Sequence, residues 1–168
     1  MKKCLILCQI FLLFTVSNVT AQNNIDGNWK VIEDESIIEF KIKSYLLFNV
    51  KGEFTDISGD FTFSDNAKQL DLNITVRTAS LNTGNDKRDE HLKSDDFFDI
   101  EKYPVITYKT NIITKQSDGI YSINGVLTIK DVSKNKQLEV AFEGFEDNGE
   151  TAVFSGKTTI NRMEYNVD

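Results

Sequence analysis

Apolar and polar residues alternate in run after run along this chain. In SIIEFKIKS, Ile38, Phe40 and Ile42 fall on one side, while Glu39, Lys41 and Lys43 fall on the other. In LDLNITVRT, Leu70, Leu72, Ile74 and Val76 oppose Asp71, Asn73, Thr75 and Arg77. QLEVAFEGF repeats the period with Leu138, Val140 and Phe142. A period of two marks a strand with one buried face. FNVKGEF, GDFTF, VITYKT, YSINGVLTIK and AVFSGKTTI are predicted as further strands. The punctuation agrees: Asp118-Gly119 and Asn148-Gly149 tolerate the positive φ of tight hairpins, and Ser64-Asp65-Asn66 makes a polar turn. Short strands joined in succession, without helical crossovers between parallel neighbours, predict a single antiparallel sandwich or barrel.

One stretch breaks the period. GNDKRDEHLKSDDFFDIEKYP, residues 84–104, holds the sole His and the sole Pro of the chain. Asn85 or Asp86 is placed to cap a short helix, and Asp89 and Lys93 have the i,i+4 spacing of a favourable pair. Leu92 gives that turn its apolar contact. Ser94 is expected to cap a second turn carrying Asp95 and Asp96, with Phe97 and Phe98 packed inward. Pro104 forces Tyr103 into extended geometry and restarts the sheet. The segment is therefore read as a short helical crossover near residues 85–99, lying over one end or flank of the sheet.

The first 21 residues have a different composition. Met1-Lys2-Lys3, an apolar run from Cys4 to Val16 and small residues up to Ala21 have the layout of a secretory signal peptide, with cleavage expected after Ala21. The run is shorter than the roughly 20 residues of a bilayer-spanning helix, so no stable membrane span is expected. Leu5-Ile6-Leu7-Cys8 makes a poor lipoprotein signal, because Leu7 is bulky where a small residue is needed. The expected mature domain, residues 22–168, would be periplasmic or secreted. It would contain no Cys, since Cys4 and Cys8 both lie in the leader. Its net charge would be −9, against −7 for the full chain. That balance argues against nucleic acid or an anionic membrane surface as the main partner.

Candidate chemistry is sparse. Nucleophilic catalysis of the Ser-His-Asp kind would have to pass through His91, which has no nucleophile elbow nearby. A helix histidine bonded to a carbonyl or carboxylate is the favoured reading. Asp86, Asp89, Glu90, Asp95, Asp96 and Asp99 lack the spacing and the turn glycine of an EF-hand loop, so capping and solvation are their expected roles. No metal and no cofactor is expected, and nothing selects a carboxylate pair for glycoside hydrolysis.

The run RDEHLKSDDFFD, followed by YP, resembles the hallmark segment of the YceI-like family, a lipid- or polyisoprenoid-binding domain. Arg88, Asp89, His91, Leu92, Ser94, Asp96, Phe97, Phe98, Asp99, Tyr103 and Pro104 carry the likeness. WKVIEDESIIEFKIK, VKGEFTDISGDFTF, GVLTIKDVSKNKQLEV and TTINRMEYNV are similar to the family's opening strands, second hairpin, later strand pair and closing motif. The resemblance thus spans essentially all of residues 28–167. It implies an all-β, eight-stranded antiparallel lipocalin-like barrel with an elongated apolar cavity, in a bacterial periplasmic or secreted protein without established catalysis. The ligand it implies is a long-chain isoprenoid or other lipid, held passively as by a carrier or store.

Two departures modify that expectation. Where many members carry Lys-His-Leu after the second strand, this chain reads Lys43-Ser44-Tyr45-Leu46, so a head group would meet Tyr45 or Ser44. The resemblance also implies one more strand beyond Tyr165-Asn166-Val167, and this sequence stops at Asp168. With the last strand missing, the barrel is expected to have an open seam, or one covered by the Trp29 region or by a second protomer of a homodimer.

Inside such a barrel, Ile38, Phe40, Ile42, Leu72, Ile74 and Val76 are expected to line the interior, together with Leu127, Ile129, Val140 and Phe142. Phe97 and Phe98 would close the mouth or pack the crossover onto the wall. Arg88 and His91 are the expected polar contacts for a phosphate or quinone head group, with a bridge from Arg88 to Asp89, Asp96 or Asp99 as the competing structural role. Two other function classes remain: a small hydrolase or isomerase acting on a hydrophobic substrate through His91, and a filled barrel serving as a stress-response or interaction protein.

Overall fold

The computed structural model describes the backbone of residues 5–15 and, more fully, residues 25–43, 49–64 and 69–167. The expected cleavage position after Ala21, the Ser44-Tyr45 departure, the Asp65-Asn66 turn and the side chains of Cys4 and Cys8 lie outside that description.

Eleven strand segments form one antiparallel sheet. They are β1 (Leu5–Thr15), β2 (Gly27–Val31), β3 (Ile37–Lys43), β4 (Asn49–Phe54), β5 (Ile57–Ser64) and β6 (Gln69–Arg77). After them come β7 (Leu81–Asn82), β8 (Val105–Ser117), β9 (Ile120–Ile129), β10 (Val132–Glu146) and β11 (Thr151–Asn161). Several segments are halves of one long strand. A 3-10 turn at Glu33–Glu35 divides β2 from β3, a bend at Thr55 and Asp56 divides β4 from β5, and a 3-10 turn at Thr78–Ser80 divides β6 from β7. The interruptions match across the sheet: β3 pairs with β4 while β2 pairs with β5, and β5 pairs with β6 while β4 pairs with β7. Eight staves result, and the pairing of β11 with β1 closes the ring. The fold is the expected eight-stranded barrel.

The period of two decides which residues face inward. In β5, Ile57, Phe61 and Phe63 are buried while Asp60 and Thr62 are exposed. In β6, Leu70, Leu72, Ile74 and Val76 are buried, and their neighbours Asp71 and Arg77 reach solvent. One glycine is required by packing. A Cβ on Gly125 would lie 2.7 Å from the Tyr108 ring, so the bare backbone lets that ring cross β9.

The source of the eighth stave differs from every expectation. The Trp29 region does not cover the seam; the run read as the apolar core of a leader does. β1 pairs with β11 from Leu5↔Asn161 to Thr15↔Thr151, and its other edge pairs with β3 from Ile6↔Ile42 to Phe11↔Ile37. At its end it also meets β2. The physical reason is backbone satisfaction. Edges of β3 and β11 carry unpaired N–H and C=O groups, and one extended eleven-residue segment satisfies both flanks. The sequence of β1 is nevertheless unlike its neighbours. Leu5, Leu7, Phe11 and Leu13, with Gln9 and Thr15, alternate with Ile6, Cys8, Ile10, Leu12 and Phe14, so both sets of register positions are mostly apolar. A stave with one wet face does not read this way; a leader core does.

The crossover holds α1 (Asp86–Lys93). Asn85 caps it by accepting from Arg88 N at 3.0 Å. Asp89, expected opposite Lys93, accepts from Thr83 N at 3.0 Å and from the Thr83 hydroxyl. The two ends of the excursion are pinned together, because Thr78 N donates to Pro104 O at 3.0 Å and Thr78 Oγ1 to Tyr103 O at 2.9 Å. β8 then resumes the sheet at Val105, directly after Pro104. Between β7 and β8, where the sheet ladder stops at Arg77↔Val105, the crossover supplies the wall.

Candidate functional site

The inward faces do not meet in a solid centre. They enclose a cavity of about 200 Å³, larger than the ~150 Å³ at which an apolar cavity stays dry and takes up benzene. Its floor is aromatic. Phe61 and Phe154 line it, packed edge to face at 5.7 Å, and Trp29, Phe142 and Phe145 back them from outside. Trp29 stacks on Phe61 at 6.0 Å and donates Nε1 to Ile25 O at 2.8 Å, so its single polar atom is satisfied.

Along the bore run Ile38, Phe40, Ile42, Leu72, Ile74 and Val76 on one side, and Leu127, Ile129 and Val140 on the other. Leu92, Phe97 and Phe98 of the crossover line the opposite end, with Phe98 edge-on to Phe54 at 5.8 Å. All of these were expected from the sequence to face inward except Leu92, which was expected to anchor its helix. Phe142 is displaced from the expected set: it packs behind Phe154, outside the lining. Phe142 keeps its register opposite Phe154, ahead of the bulge that separates it from Gly144, and its ring is taken up in the aromatic cluster with Phe145 and Phe154.

Arg88 and His91 lie off the cavity. The Arg88 guanidinium is committed to Thr83, donating from Nε to Oγ1 at 2.7 Å and from Nη2 to the carbonyl at 2.8 Å. That structural role was expected, but with a carboxylate as partner. The His91 side chain is 60% exposed, 3.9 Å from Asp96 and edge-on to Phe97. Among the described residues, no His, Asp or Glu lines the bore. Among the described residues, no three His, Cys, Asp or Glu side chains come together as a metal site.

At the crossover end the wall acquires cations that the sequence did not single out. Arg162, in the 3-10 turn Arg162–Tyr165 after β11, reaches the bore. Lys130 clasps three elements: its ammonium donates to Phe97 O and Asn166 O, both at 2.9 Å. Its backbone sits at φ +54° in the β9–β10 turn, a left-handed position without a glycine. These residues are more than thirty positions from Phe97, and no local pattern connects them.

Comparison with known proteins follows this geometry. A family model for the YceI-like domain matches residues 29–168. A UPF0312 protein of Vibrio parahaemolyticus is 32% identical over 134 residues, covering 77% of this chain and 71% of the relative. A UPF0312 protein of Yersinia pestis is 32% identical over 154 residues, covering 88% and 80%. The crystal structure of the Campylobacter jejuni YceI protein superposes with a TM-score of 0.65 at 35% identity, covering 76% of this chain and 77% of that one. The chain belongs to the YceI-like family.

The YceI-like match begins at residue 29, so β1 lies outside it and the other seven staves lie almost wholly inside. Within the match, the hallmark segment mostly builds the crossover. Arg88 and Asp89 grip Thr83, the Ser94 carbonyl accepts from Phe97 N and Asp99 N, and Asp99 turns the chain at φ +50°. Its apolar members, Leu92, Phe97 and Phe98, do face the bore.

Tyr108 is the one phenol on the YceI-like barrel's bore with a resolved consequence for pH. Its ring crosses Gly125 and its hydroxyl donates to Lys136 O at 2.9 Å. Burial pushes its pKa well above the usual phenol value, and burial acts in the same direction on Tyr165. The sign is fixed by linkage. Below about pH 10 both folded and unfolded chains keep the proton, and the contribution is fully present. As pH rises further the unfolded phenol ionises first, so stability falls. Urea midpoints from pH 8 to 11 are expected to decline less for Tyr108→Phe than for the wild type. Its unfolding free energy at neutral pH should drop by about 0.5–1.5 kcal/mol for the lost hydrogen bond.

Proposed function

We propose that this protein binds a long apolar lipid, of isoprenoid class, in the barrel interior without transforming it, as a carrier or store. The observation that carries the reading is the cavity of about 200 Å³, lined by aliphatic and aromatic side chains from floor to crossover. Burial of roughly 300 Å² of ligand surface would supply about 7.5 kcal/mol before losses in ligand freedom. The family resemblance supports the isoprenoid class. The leader-like first 21 residues support action in the periplasm or outside the cell.

A catalytic role through His91 finds no matching feature, since that side chain is 60% exposed and off the bore. Freshly purified protein, examined by native mass spectrometry and organic extraction, is expected to carry a lipid adduct or to acquire one on addition of geranylgeraniol. Only the bare mass in both cases would overturn the proposal.

A further inference from the structure

At the end of the barrel away from the crossover, pairs of aromatic rings reach across the interior. Phe61 meets Phe154 edge to face at 5.7 Å, and Phe63 meets Tyr121 edge to face at 6.0 Å. Trp29 stacks on Phe145 at 6.1 Å. None of these pairs joins neighbouring strands. β2 and β1 stand between β5 and β11, β6 and β8 between β5 and β9, and β1 and β11 between β2 and β10. In a closed ring of staves, rings on strands so far apart touch through the lumen. The first two pairs border the bore, whereas Trp29 and Phe145 lie beyond it. Ala152 shares the inward phase of β11 with Phe154, is fully buried and borders no part of the bore, so the barrel is solid at that level. The ring pairs near the crossover are of another kind. Phe40 and Phe54 sit on the adjacent strands β3 and β4, and Phe98, edge-on to Phe54, belongs to the crossover. The bore is blind at its aromatic end.

We infer that the Phe61–Phe154 bar, backed by Trp29, sets the length of isoprenoid tail that the protein selects. Each isoprene unit that fits between the crossover and these rings leaves water and adds affinity; a unit that does not fit stays outside and adds nothing. The bar is poorly able to yield. Phe61 is held between the edge contact with Phe154 and the face of Trp29 at 6.0 Å, and Phe154 is backed by Phe142 at 5.3 Å. Moving either ring means repacking a dense aromatic cluster. The inference rests on the chain-binding reading and adds to it the length of the chain.

A series of all-trans prenols from farnesol to solanesol, one isoprene unit apart, competed against radiolabelled geranylgeraniol on the full chain, reads affinity against tail length at constant head group. Wild-type affinity is expected to rise about tenfold or more per unit and then to level off, the unit past the plateau changing it by less than about twofold. In Phe154→Ala that next unit should again give about tenfold, and in Phe154→Leu, which loses less packing, about threefold or more. Comparing two prenols within one protein cancels any change in its stability. Phe54→Ala removes an equal ring at the crossover end and should keep the wild-type plateau. Affinity that climbs through the whole series in the wild type overturns the length assignment while leaving the chain-binding reading intact. So does an unmoved plateau in both Phe154 variants, or a plateau that Phe54→Ala moves as far as Phe154→Ala does. Failure of every prenol to bind the wild type overturns the two together.

Discussion

Val140→Trp is expected to close the bore to ligand while the barrel stays folded. Val140 lines the cavity from β10, where its register partners are Gly156 on β11 and Tyr121 on β9. Gly156 has no side chain to give way, so the space open to an indole at this position is the bore itself, and the ring takes up much of its roughly 200 Å³. Excluding about 100 Å² of ligand surface costs roughly 2.5 kcal/mol, near a hundredfold in Kd. Overpacking normally costs about 1–3 kcal/mol, but here the added volume enters a void, which offsets it. Titration with geranylgeraniol should show the loss, and a thermal melt should show a transition no lower than the wild type by more than a few degrees. Undiminished affinity in the folded variant would place the ligand somewhere other than the cavity.

A chain starting at Gln22 is expected to lose the eighth stave and to self-associate. β1 supplies eleven register partners to β11 and six to β3. Without it both neighbours become sheet edges, with their backbone groups unpaired over that length. A domain of this size is stable by only about 5–15 kcal/mol, so loss of a stave removes a large share of that margin. Thermal melts should shift down by more than about 10 °C, and sedimentation should show concentration-dependent dimers formed edge to edge. This shortened chain is also what export would deliver if cleavage follows Ala21. A stable monomer with the full chain's melting temperature would show that the remaining seven staves close the seam by themselves.

The crossover shows how local and distant information divide. Asn85 as a cap, Pro104 as the restart of the sheet, and Phe97 and Phe98 as inward anchors are all set by neighbours within a few residues. The competing partner of Asp89 was a near miss, because Thr83 lies just outside the helix on which the i,i+4 rule operates. Arg88 and His91 were assigned to a head group on chemistry alone, and chemistry alone does not state which way a helix faces. Arg162 and Lys130 reach the same place from the ends of β11 and β9, and barrel closure puts them beside Phe97.

Alternation of side chains along each strand, a property of extended backbone, was enough to settle the β class, the inward residues apart from Phe142, and the position of the helical interruption. Three things waited for the tertiary structure: that the inward faces leave a bore, that Arg162 and Lys130 meet beside Phe97, and that β1 lies between β3 and β11. Each depends on how staves distant in sequence are spaced around a closed ring. Volume, charge balance and edge pairing are sums over that ring, and no window of neighbouring residues contains them.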